Sequence, residues 1–261
     1  MVGYHEQRSA ASPDEATFNQ LLRQAKSADP DVRFEAIGEL TYYRSPEVDE
    51  ALVQAAFDPD RDVASVAVDA LSERDHPQAR GMILEHLRNR PTLRQSALRS
   101  AGVVDISPHL DQAWLALEQR EWVERTAGAG ALAQAGVVSA IPKIRELAHR
   151  AKAVRQLAAE AHLFGSAALL GDSQSADLFV SRLSSRSRAS REAAAYFLDR
   201  RGRVECLAQV VSVSRLRSAL LSGMQIHDAW RYSFKPSRPE GIYSRTIEDL
   251  LRRLDALSRP S

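Results

Sequence analysis

Cysteine is almost absent from this 261-residue chain, with Cys206 as its single example. One thiol excludes an internal disulfide framework and fits a reducing compartment, so a cytoplasmic location is expected. Glycine and proline are sparse, at 12 and 11 residues, while alanine and leucine abound, and this leans the chain toward helix. There is no run of about 18 apolar residues, so no membrane span is expected. The first 14 residues are polar and lack the apolar core of a secretory signal. No segment alternates apolar and polar residues over a strand's length, so no strands are expected. The seven histidines show neither repeated His-Glu pairs nor His-x-x-x-His spacing, so neither a metal nor a cofactor is expected. Neither a glycine-rich phosphate loop nor a Gly-x-Ser-x-Gly nucleophile motif occurs. Cys206 falls in an apolar stretch and is expected to be a buried, inert thiol.

Charge is balanced in sum and uneven in distribution. The net charge is +1. Residues 1–90 carry 17 acidic and 10 basic side chains, whereas residues 143–203 carry 6 acidic and 12 basic ones. Such an asymmetry biases which surfaces meet which partners.

What the chain does have is a recurring phrase. Val32, Val63, Leu93, Val123 and Val154 follow one another at intervals of 31, 30, 30 and 31 residues. A small residue follows each anchor by four positions: Ala36, Ala67, Ala97, Ala127 and Ala158, with Ala194 in a sixth, delayed unit. That residue lets neighbouring helices approach closely. A fixed period of this length marks stacked structural repeats, in which each helical pair buries its apolar side against the next.

Helix start and stop signals divide the units. Ser12-Pro13-Asp14-Glu15, Ser45-Pro46, His76-Pro77, Ser107-Pro108 and Ile141-Pro142 open first helices. Second helices are expected over 32–43, 62–72, 92–102, 121–135, 152–164 and 188–200, with Asp31 and Asp62 as candidate caps. A register break is expected at Gly165 to Asp172, lengthening that connection. Residues 1–13 read as a flexible terminus, 14–203 as the repeat body, and 204–261 as C-terminal helices packed as a cap on the same domain. An irregular loop is expected over 232–242 and a final amphipathic helix over 244–257.

The Asp-Pro-x-Val-Arg-x-x-Ala-x-x-x-Leu phrase resembles that of HEAT repeats, and the short unit is most similar to the phycobilisome-lyase-like subgroup. The resemblance implies an all-α, right-handed α-solenoid of about six helical hairpins with C-terminal capping helices. It also implies that second helices line a concave face that holds a partner. Proteins of this kind are mostly non-enzymatic scaffolds, some bind DNA, and a few are enzymes.

Candidate partner-binding residues follow from that layout. An arginine stands after the anchor at Arg33, Arg94, Arg155 and Arg191, with Arg188 nearby, and Ala64 and Glu124 interrupt the series. These guanidiniums either grip carboxylates of a protein partner or tie the turns of the fold together. The basic stretch 143–203 permits nucleic acid as an alternative. A HEAT-like glycosylase would draw on Trp114 and Glu118, four apart on one helix face, with Asp111 beside them. A bilin-lyase-like activity is a further alternative implied by the subgroup. The charge asymmetry also permits end-to-end self-association.

Overall fold

The protein is seen in a computed structural model that describes residues 15–74, 76–89, 93–100, 104–199, 203–231 and 242–258. The expected flexible terminus and all but the last residue of the loop expected over 232–242 lie outside the described residues, and Ile242 already belongs to the last helix. Every regular element among the described residues is helical, so the fold class is all-α. The chain divides into two compact units, residues 1–106 and 107–261.

The first unit holds three hairpins: α1 (Glu15–Gln24) with α2 (Pro30–Leu40), α3 (Pro46–Ala55) with α4 (Arg61–Glu73), and α5 (Ala79–Asn89) with α6 (Arg94–Arg99). The caps sit one turn-residue pair earlier than Asp31 and Asp62. Asp29 accepts the Asp31 N–H, and Asp60 accepts those of Asp62 and Val63. Both hold the extended backbone that lets a carboxylate reach back to the first turn. Ser45 caps α3 through the Val48 N–H, with Pro46 just inside the helix, where its missing N–H is not needed. Second helices α2, α4 and α6 pack side by side and bury Ile37, Leu40, Val63, Ala67, Leu71, Ala97 and Leu98.

Arg74, the C-cap of α4, joins these hairpins. Its buried guanidinium pairs with Asp49 of α3 at 2.7 Å and donates to the carbonyls of Leu40, Thr41 and Tyr43 where α2 ends. A cation suits that end of a helix, where carbonyls lack intrahelical partners. Arg74→Ala strands those acceptors. It is expected to cost about 2–3 kcal/mol in a denaturant melt, whereas Arg80→Ala on the exposed side of α5 should be near neutral.

The second unit continues the alternation: α7 (Leu110–Leu117) with α8 (Trp122–Gln134), α9 (Ile141–Ala153) with α10 (Leu157–Leu169), and α11 (Ser173–Leu183) with α12 (Arg188–Asp199). After the short α13 (Arg203–Leu207) come α14 (Val213–Arg231) and α15 (Ile242–Leu257). α14 packs on α11 and α15 on α12, so the C-terminal pair extends the stack as one more hairpin. Two of its contacts are made by glycines in second helices. A Cβ on Gly128 of α8 would sit 2.5 Å from the Ala113 carbonyl of α7, and one on Gly165 of α10 would meet the Phe197 ring of α12 at 2.6 Å.

The expected register break is not where the spacing placed it. Residues 165–169 belong to α10, and the connection to α11 is only Leu170, Gly171 and Asp172. The extra residues come earlier. α8 and α10 begin 35 positions apart, at Trp122 and Leu157, while α10 and α12 begin 31 apart, at Leu157 and Arg188. α9 runs through 13 residues to Ala153, so Val154 is not a core anchor but an exposed turn residue. Val123 is likewise exposed. Ala158 is exposed too, and Ala161 is buried in its stead.

Candidate protein-binding surface

The fourth residue of each second helix is the key to the arginine series. That slot holds Arg33 in α2, Ala64 in α4, Ala97 in α6, Arg125 in α8, Glu160 in α10 and Arg191 in α12. Where arginine occupies it, the side chain turns back to a carbonyl six residues earlier: Arg33 to Ser27, Arg125 to Gln119, and Arg191 to Ser185. Each bond ties the inter-helix turn to the helix that follows it. Arg33 also holds Asp58 with two 2.8 Å bonds, and this hydrogen bonding raises its pKa above the ordinary guanidinium value. Arg191 is only 1% exposed.

Arg33 and Arg191 are therefore fastened inside the fold. Arg94 opens α6 and is half-buried. Arg155 and Arg188 are exposed. Arg188 pairs with Glu192 one turn along at 2.7 Å. Arg155 does not belong to the helical slot that the sequence spacing suggested. It lies in the turn between α9 and α10 with φ of +59°, the only non-glycine with positive φ among the described residues. Its N–H bonds the Lys152 carbonyl while the next N–H, of Gln156, bonds Ala151. The same paired bonds close α8 at Gly136 and α10 at Gly171, both with positive φ. Arg155 thus fills a left-handed helix-ending position that glycine takes elsewhere in this unit.

Glu160, the acidic occupant of the slot, is 1% exposed and is met by Arg182 of α11 at 2.6 Å. Further staples were invisible to spacing because their partners come from non-adjacent helices. Arg253 of α15 forms two bonds with Glu205 of α13, at 2.8 and 2.5 Å, while reaching the carbonyls that end α12. Burial pushes its pKa down to about 10, and the Glu205 carboxylate supplies the opposing charge. Arg203 lies buried with its guanidinium 4.1 Å from the centre of the Phe197 ring.

The glycosylase-like candidates sit along α7 and at its C-cap. Glu118 is exposed and pairs with Lys143 at 3.4 Å. Asp111 is exposed and accepts the Gln112 side-chain amide, and Trp114 is half-buried in α7. Cys206 is exposed, not buried, because α13 turns its Val204 and Leu207 inward instead. Among the described residues no group of three or more potential metal ligands converges. No helix among them is long and apolar enough to cross a membrane.

The faces left open carry charge and aromatic surface. On α2, Asp31, Glu35 and Glu39 recur every four residues on the exposed side, flanked by Phe34 at 42% and Tyr42 at 48% exposure. On α12, Tyr196 is exposed.

Residues 18–102 match the family described as HEAT repeats. No curated protein matches the chain. Among solved structures the chain resembles one from the complex of CpcE and CpcF of phycocyanin lyase from Nostoc sp. PCC7120. The sequence identity is 19%, coverage is 95% of this chain and 98% of that one, and the TM-score is 0.52. At that identity the likeness speaks for the fold alone, a stack of helical hairpins. Residues 18–102 thus carry HEAT repeats, and the second unit is built of paired helices of the same kind.

Proposed function

We propose that the protein is a non-enzymatic scaffold that holds a protein partner on the open faces of its second helices. The observation that carries this reading is the division of labour among its polar residues. Those at the repeat positions (Arg33, Arg125, Glu160, Arg191) are consumed in fastening turns and helices, while the outer faces keep exposed aromatics and charges. Such surfaces suit a macromolecular partner, because aromatic residues supply contact area at low entropic cost and charges supply orientation.

Arg155 and Arg188 are the arginines of the original series that remain exposed to such a partner. Replacing both with glutamate is expected to lower capture of the partner from lysate at least tenfold, with helicity and Tm within error of the parent protein. Mass spectrometry of nuclease-treated and untreated captures checks the class of partner. Capture that is unchanged by the substitutions, or that is lost only with nuclease, would count against this reading.

A further inference from the structure

The outer ends of the second unit's hairpins form a basic edge. Second helices α8, α10 and α12 pack in sequence, so the turns that precede them follow one another along one side of that unit. Those turns and the last turn of α9 present Arg120, Lys152, Arg155 and Arg186, all exposed and none in an ion pair with a described residue. This contrasts with Arg33, Arg74, Arg99, Arg182 and Arg253, whose charges are answered by carboxylates within the fold. Val154 adds apolar surface, 58% exposed, in the middle of the edge.

Arg155 sharpens the point. A left-handed backbone costs a side-chain-bearing residue of the order of 1 kcal/mol relative to glycine. Gly136 and Gly171 take the same left-handed position without that cost where the second helices α8 and α10 end. A strained, exposed cation flanked by other cations suits an anionic surface outside the fold.

The chain itself supplies such a surface. The α2 stripe of Asp31, Glu35 and Glu39 stacks like charges one turn apart, a destabilising arrangement in isolation, and no ion pair among the described residues relieves it. We infer that the basic edge around Arg155 on one copy docks onto the acidic, aromatic-flanked α2 stripe of a second copy, joining molecules head to tail. The inference rests on the reading of Arg155 as a protein contact and names that protein as this same chain. Each copy offers both patches, so association can close as a reciprocal dimer or ring or continue as an open chain.

The test is sedimentation velocity of the full chain at about 20 mM and about 500 mM salt, which screens exposed charges. Species larger than the monomer should grow with concentration at low salt and dissolve at high salt. Two variants reverse one patch each: Glu35→Lys with Glu39→Lys, and Lys152→Glu with Arg155→Glu. Each alone should associate at least tenfold more weakly, and an equal mixture should associate again, since each reversed patch then faces its opposite. Arg155→Gly should raise Tm by about 2 °C, the shift for relief of a mild strain in a chain this size, while weakening association. A monomeric parent protein at low salt overturns the inference, as does a mixture that fails to recover. If the parent protein is monomeric yet Arg155→Glu loses a lysate partner, the self-docking fails and the scaffold reading survives. Binding of added duplex DNA by a monomeric chain, lost with Lys152→Glu and Arg155→Glu, overturns both.

Discussion

Gly128→Ala is expected to be the most damaging single-methyl change in the protein. The added Cβ would lie 2.5 Å from the Ala113 carbonyl oxygen and 2.9 Å from the Leu117 nitrogen, both backbone atoms of α7. A side chain in the way could rotate aside, but a helix backbone cannot move without dragging its core residues. Ala113, Ala116 and Leu117 are fully buried and anchor α7 against α8. The hairpin must therefore open along its length, and overpacking of this kind costs roughly 3 kcal/mol or more. The control is Gly81→Ala in α5, where nothing lies within 4 Å of the new methyl. There the gain in helix propensity should stabilise by up to about 1 kcal/mol. Guanidinium melts of the two variants measure the contrast. Equal effects would mean that α7 and α8 are not so closely apposed.

Arg182→Ala should be comparably severe for a different reason. It removes the partner of Glu160 at 2.6 Å and leaves a carboxylate that is 1% exposed without its counter-charge. Breaking one side of a buried pair costs roughly 3–5 kcal/mol, because the desolvated charge remains. Removing both charges, with Glu160→Leu and Arg182→Leu, should recover most of that loss, since an apolar pair of similar volume avoids the desolvation altogether. The double variant melting below Arg182→Ala would show that the pair does more than neutralise itself.

The helical class and most hairpins were legible because apolar spacing and proline-marked starts are local signals. α1 to α5 and α11 to α12 fall close to where those signals put them. The phase within unit five was not legible. Val154, Arg155 and Ala158 match the repeat phrase residue for residue, yet the longer α9 takes the chain past them before α10 begins. Periodicity reports identity at intervals; it does not report how many residues a helix absorbs before it stops. The arginine slot was legible as a series but misaligned for the same reason, with Glu124 read in place of Arg125 and Arg155 in place of Glu160. Of the candidate binding residues, Arg33 and Arg191 proved to be fastenings, and their carbonyl partners six residues back could have been anticipated from the turn length. The contacts of Arg74, Arg203 and Arg253 depend on which helices become neighbours, and no local pattern encodes that.

A lone accessible sulfur on a well-packed five-residue helix has a practical use. Cys206 stands exposed on α13, while its neighbours Val204 and Leu207 anchor that helix to the body. A maleimide dye will therefore attach at one defined place on the unaltered polypeptide, with no competing thiol to block. Fluorescence anisotropy and energy transfer from that position can then follow docking of any candidate ligand in real time.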